Sequence, residues 1–158
     1  MKKLFLVAIA TVGFAFSGTA QETKFGVKAG VDFASAKVKT PFGDVSSSAT
    51  GFYVGGFAEI GIQERWSVQP EVLYVSIKDA SMISVPVLGK YGVSDSFNLM
   101  AGPSFNYNLD WEEDKFKLNV DLGASYDLNE QMDISARYSL GFGDVSLSGL
   151  FLGFGYKF

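Results

Sequence analysis

Eight successive segments of this chain put uncharged residues and charge-bearing residues on alternate positions. In the first, Phe25, Val27, Ala29, Val31 and Phe33 alternate with Gly26, Lys28, Gly30 and Asp32, and the same rhythm runs to Phe158. A side-chain period of two belongs to a β-strand, and stretches of about ten such residues are the mark of a membrane-spanning strand. Hydrocarbon offers no partner for a free backbone edge, so a sheet crosses a membrane only when closed on itself. The chain is therefore expected to be all-β: an eight-stranded antiparallel up-and-down transmembrane barrel, preceded by a cleavable signal peptide.

The strands are placed at 24–36, 51–62, 66–77, 82–92, 97–109, 116–127, 131–142 and 147–158. Short polar connections, Ile62–Arg65, Val93–Ser96 and Leu128–Glu130, read as tight periplasmic turns. On the other side, Lys37–Thr50 reads as a Ser-rich loop marked by Pro41 and Gly43, and Asp110–Lys115 as an acidic loop. The connections at Lys78-Asp79 and Gly143-Asp144 are brief. An even strand count brings both termini to one side, expected to be the periplasm.

Met1-Lys2-Lys3, the apolar run Leu4–Phe16 and the small residues Ser17–Ala20 make a secretory signal peptide, with cleavage expected after Ala20. Residues 21–158 then form one barrel domain. No cysteine follows the apolar run, which excludes a lipid-anchored N-terminus and a disulfide framework. A net charge of −4 without a basic patch gives no support for nucleic-acid binding.

Three features put the uncharged face toward lipid. Aromatics on that face collect near strand ends: Phe25, Trp66, Tyr91, Phe97, Tyr126 and Phe158 at one, and Phe33, Phe52, Tyr74, Tyr107, Phe116 and Tyr138 at the other. Two such girdles suit the headgroup levels of a bilayer. Most strand glycines, among them Gly26, Gly55, Gly123, Gly149 and Gly153, fall instead on the charged face, where the narrow interior of an eight-stranded barrel needs small residues. The chain stops on Gly155-Tyr156-Lys157-Phe158, which resembles the C-terminal assembly signal of outer-membrane barrels and implies the barrel assembly machinery as a partner.

Inside, then, stand Lys28, Asp32, Glu59, Glu71, Lys90, Lys117, Asp121, Asp133, Arg137 and Lys157. An unpaired buried charge is very costly, so an interlocking ionic network is expected. Gln69, Asn98, Asn106, Asn108 and Asn119 extend it, and Tyr53, Phe57, Leu73, Leu88, Met100 and Phe151 plug the lumen. Glu59, Glu71, Lys90 and Arg137 are the candidates for one clustered set near mid-strand, and structural ion pairing is preferred to acid/base chemistry for them. The chain has no histidine, which removes the usual proton shuttle and the commonest metal ligand. Asp110, Glu112, Glu113 and Asp114 lack the spacing of a dedicated Ca²⁺ loop. No catalytic, cofactor-binding or metal-ligating residue is assigned, and no cofactor is implied.

Several segments carry a resemblance to a known family. Phe25–Val31, Gly51–Glu59, the pair Val68-Gln69-Pro70-Glu71-Val72-Leu73-Tyr74 and Ile83-Ser84-Val85-Pro86-Val87-Leu88-Gly89-Lys90-Tyr91, and Ala101-Gly102-Pro103 resemble strands of the PorT-like outer-membrane β-barrel family. Its fold is similar to small OmpX-type barrels. The resemblance implies an interior place for Glu71 and Lys90 and no catalytic residues; some members are associated with protein secretion and gliding machinery.

The expected protein is a small, non-enzymatic, monomeric barrel of the Gram-negative outer membrane. Its partners are the surrounding lipids and an envelope protein met through the outer loops. The alternatives are an accessory component of a secretion or gliding machinery, a narrow pore, and a lipid-modifying enzyme that the missing histidine disfavours.

Overall fold

A computed structural model describes residues 22–78, 80–110, 112, 115–142 and 145–158. The expected signal peptide and the connections at Asp79, Trp111, Glu113-Asp114 and Gly143-Asp144 lie outside them. The elements are β1 (Glu22–Thr40), β2 (Gly43–Gly61), β3 (Trp66–Ile77), β4 (Ala80–Gly92), β5 (Phe97–Asn108), β6 (Phe116–Asp127), β7 (Met132–Gly141) and β8 (Val145–Lys157). Each strand pairs antiparallel with its sequence neighbours, and β8 pairs back to β1 to close the barrel.

The three short turns close as their composition requires. Ile62 N–H donates to Trp66 O, Val93 N–H to Phe97 O and Leu128 N–H to Met132 O. The side chain of Asn129 accepts the Gln131 and Met132 amides at 2.8 and 2.9 Å, and Ser94 Oγ accepts the Phe97 amide at 3.0 Å. Asn and Ser favour such turns because their short side chains satisfy the backbone locally.

Closure is staggered. The pairs Glu22–Gly61, Gly61–Ser67, Ser67–Lys90, Lys90–Met100, Met100–Gly123, Gly123–Arg137, Arg137–Phe151 and Phe151–Asp32 make one circuit of the wall. It starts at residue 22 and returns to β1 at residue 32, a shear of ten residues. Such a shear tilts the strands by about 35–45° from the barrel axis and leaves a lumen that side chains can fill.

The facing follows the sequence alternation. Phe25, Val27, Val31 and Phe33 of β1 are exposed on the outer wall, as are Val72 and Tyr74 of β3 and Leu118, Val120 and Leu122 of β6. The aromatic sets stand where the strand ends put them: Trp66 packs on Tyr91 with ring centroids 4.7 Å apart, Phe97 pairs with Tyr126, and Tyr107 pairs with Phe116. Lys28, Asp32, Glu71, Lys90, Asp121, Asp133, Arg137 and Lys157 are buried in the lumen.

One expectation is corrected. Lys37–Thr50 is not a loop: β1 and β2 run in unbroken register from Glu22–Gly61 to Thr40–Gly43, leaving only Pro41 and Phe42 as the turn. Pro41 presets its backbone for a turn. Gly43 follows at φ 127°, in the region that favours glycine. Above the apolar band both faces of a hairpin meet water, so its polar sequence is no sign of irregular backbone. β8 also begins earlier than expected, because Val145 and Ser146 pair with Val38 and Lys37.

Candidate functional site

The lumen is organised in layers, and its centre is Glu71. β3 turns this carboxylate inward between outward-facing Pro70 and Val72. Glu71 Oε1 accepts Lys28 Nζ from β1 at 2.6 Å and Gln69 Nε2 at 2.6 Å, while Oε2 accepts Arg137 Nη1 from β7 at 2.7 Å. Arg137 Nε stands 3.1 Å from Asp121 Oδ2 on β6. Two cations thus face two anions with all four side chains buried, the arrangement that makes a buried ionic group tolerable. The cations are also capped by rings: Lys28 Nζ lies 5.2 Å from the Phe57 centroid and the Arg137 guanidinium carbon 4.8 Å from that of Phe151.

Toward the ends of the chain lies a second cluster. Glu59 Oε2 meets Lys90 Nζ at 2.8 Å and Lys157 Nζ at 3.2 Å, and Lys157 reaches Asp127 at 3.5 Å and Asp133 at 4.0 Å. The expected single set of Glu59, Glu71, Lys90 and Arg137 is therefore two sets. Glu71 and Arg137 belong to the central one and Glu59 and Lys90 to the other. Alternation shows which face a residue occupies but not its height, and the stagger of the wall decides which rows meet.

On the opposite side of the central cluster is an apolar layer of Tyr53, Leu73, Val75, Met82 and Phe151, with the Tyr53 and Phe151 rings edge-to-face at 5.3 Å. Leu88 and Met100 are also buried as expected. Val75 and Met82 were not singled out in the sequence, although each shares the inward parity of Leu73 or Leu88. Glycines make room for this filling. A side chain on Gly153 would run into the Tyr53 hydroxyl, and one on Gly26 would come within 2.6 Å of the Phe57 ring.

The polar residues divide similarly. Asn98 donates to Ser125 and Asp127 at 3.4 and 3.1 Å, and Asn119 donates to Ser139 Oγ and Leu147 O at 2.9 and 3.0 Å. Asp32 is buried without a hydrogen-bond partner among the described residues. It shares a cavity of about 20 Å³ with Lys117, Asn106, Asn119 and Ser139, a space of roughly one water. Asp110, from the expected acidic loop, accepts the Ser81 amide. No group of residues able to hold a metal ion occurs among the described residues.

At the outer mouth, β1, β2 and β8 continue beyond the other strands. β1 pairs with β2 to Thr40–Gly43 and with β8 to Val38–Val145, whereas β2 and β3 part at Gly51–Ile77. Under this three-stranded flap lies a cavity of about 180 Å³ lined by Ala34, Ala36, Ala49, Ile77, Met82 and Leu147 among others.

A closed, lipid-faced, ion-cored barrel of eight strands is matched at the sequence level by the outer membrane protein beta-barrel domain, over residues 6–158. The chain belongs to that family. It is a protein of the outer membrane, a membrane its apolar outer wall fits. Among solved structures, Ail, the attachment invasion locus protein of Yersinia pestis in complex with the heparin analogue sucrose octasulfate, superposes with a TM-score of 0.60 at 16% identity; the match covers 87% of this chain and 100% of that one. Neisserial surface protein A aligns with a TM-score of 0.56 at 23% identity, covering 87% and 100%. A de novo designed transmembrane β-barrel gives 0.57 at 17%, covering 88% and 99%. At these identities the likeness is one of fold. No curated protein matches the chain.

Proposed function

We propose that the protein is a small, non-enzymatic outer-membrane barrel whose membrane-embedded part is a rigid scaffold and whose outer end meets a partner. The observation that carries this reading is the contrast between the two parts. The lumen is crossed by a neutral four-residue ionic knot and an apolar layer, with the Glu71 carboxylate occupied by three donors. The β1–β2 hairpin, by contrast, projects above the wall, held on one side by β8 up to Val38–Val145 and parted from β3 beyond Gly51–Ile77. A fully buried carboxylate already held by three donors is poorly suited to acid/base work. The filled lumen likewise speaks against a pore.

In this reading the signal peptide is removed after Ala20, both termini face the periplasm, the barrel is monomeric, and the C-terminal strand is recognised by the assembly machinery. The strand motifs around Glu71 and Lys90 favour the PorT-like branch of the family, which supports the second reading of an accessory component of secretion or gliding machinery. Envelope fractionation tests the proposal: the protein is recovered in the outer-membrane fraction and migrates differently on a denaturing gel before and after heating. Recovery as a soluble periplasmic monomer ends it. Stable single-channel conductance in a planar bilayer revives the pore. Crosslinked co-purification of secretion components favours the second reading.

A further inference from the structure

Asp32 belongs to neither ionic cluster. Lys28 and Arg137 face Glu71 and Asp121, while both Asp32 carboxylate oxygens stay buried without a hydrogen-bond partner among the described residues. Only 1% of the residue is exposed. A lone buried carboxylate is among the costliest groups a fold can hold, so whatever meets it matters. Beside it the wall is Gly149, where an added side chain would begin 2.6 Å from Asp32 Oδ1. The carboxylate is left facing the 20 Å³ space that it shares with Lys117, Asn106, Asn119 and Ser139.

This small niche adjoins a larger chamber. Ala34, Met82 and Leu147 line both the niche and the 180 Å³ cavity under the flap, which reaches the outer mouth where β2 and β3 part. Another unpartnered acceptor, the buried Asn108 Oδ1, belongs to a residue of the chamber wall. A cavity of about 150 Å³ is enough for a benzene-sized guest, and about 10–15 Å³ for one water-sized group. The two spaces together make an apolar chamber with a polar niche at its inner end.

The unmet atoms, two carboxylate oxygens and one amide oxygen, all accept hydrogen bonds, so a matching occupant must donate. Lys117 adds a cation to the same niche. A cationic head group would meet a like charge at Lys117, and an anionic one at Asp32. A hydroxyl suits both residues, because it donates one bond and accepts others. We propose that the outer half of the lumen binds a small uncharged alcohol. Its apolar body lies in the chamber among Ile77, Met82 and Leu147, and its hydroxyl enters the niche, donating to Asp32 and accepting from Lys117. The site lies inside the wall and needs no protein partner at the flap.

The test uses the full barrel in phospholipid nanodiscs, shown to be folded by its heat-dependent gel migration. The methyl NMR signals of Ile77, Met82 and Leu147 are followed as benzyl alcohol or toluene is added. Benzyl alcohol is expected to shift them saturably and to bind about tenfold or more tighter than toluene, the worth of a hydrogen bond to a charged group. The methyls of lipid-facing Val72 and Leu122 respond only in proportion to concentration, as partition into lipid requires. Benzylamine and benzoate, which each bring a like charge to the niche, bind more weakly than the alcohol. Asp32→Asn erases the preference for the alcohol and keeps toluene binding. Ala36→Phe, which fills the chamber from β1 without touching the niche, blocks both probes and serves if the Asp32 variant fails to fold. Equal affinity for alcohol and toluene, tighter binding of either charged probe, or an alcohol preference that survives Asp32→Asn overturns the inference. So does the absence of any saturable shift, which would mean that the niche holds water only.

Discussion

Glu71 on β3 and Arg137 on β7 join opposite walls of the barrel, four strands apart around the sheet, through a 2.7 Å ion pair at the centre of the lumen. Lys28 and Asp121 complete the knot from β1 and β6. Breaking a buried pair from one side leaves the remaining charge without compensation, at a cost of about 3–5 kcal/mol. Glu71→Ala strands Lys28, leaves Arg137 with Asp121 alone, and is expected to fall in that range in equilibrium unfolding by urea in lipid vesicles. A loss below about 1 kcal/mol would mean that the knot is not closed as described.

Tyr53 and Gly153 make a second linked pair, because the tyrosine hydroxyl occupies the space where a residue 153 side chain would begin. Overpacking a filled interior costs about 1–3 kcal/mol. Gly153→Ala is expected to destabilise the barrel by that amount, and adding Tyr53→Phe to recover part of it by removing the obstructing oxygen. Strictly additive effects of the two substitutions, measured in a double-mutant cycle, would contradict the contact.

How much of this was legible in the sequence follows from what alternation can encode. It shows which face a residue takes, so the lipid-facing Phe25, Val31 and Val72 and the buried Lys28, Asp121 and Lys157 stand where the pattern puts them. It carries no height, so Glu59 and Glu71 look equivalent in sequence although they serve different clusters. It also fails where lipid ends. Ser46, Ser47 and Ser48 are strand residues with water on both sides, and nothing there selects an apolar partner for every second position. The pairing of Val38 with both Val45 and Val145 was present only as three scattered valines.

Because the flap lies beyond the apolar band, it is expected to be dispensable for the membrane-embedded part. Replacing residues 37–46 with a two-residue Asn-Gly turn, which joins the paired Ala36 and Ser47, should leave outer-membrane recovery and heat-dependent migration unchanged. Loss of the heat shift in this variant would show that the hairpin is needed to close the barrel.

Val72 tests the facing of the whole wall most directly. It is exposed on the outer surface of β3, immediately beside the buried Glu71. An arginine near the bilayer midplane on the lipid face costs about 2–4 kcal/mol, and the same is expected near Val68 and Val85. At Ser46, outward-facing but above the apolar band, arginine should change stability by no more than about 0.5 kcal/mol. Equilibrium unfolding of Val72→Arg and Ser46→Arg in lipid vesicles therefore separates the two orientations: a loss of about 2–4 kcal/mol at position 72 alone is the predicted result, and a harmless arginine there would mean that lipid does not touch this face.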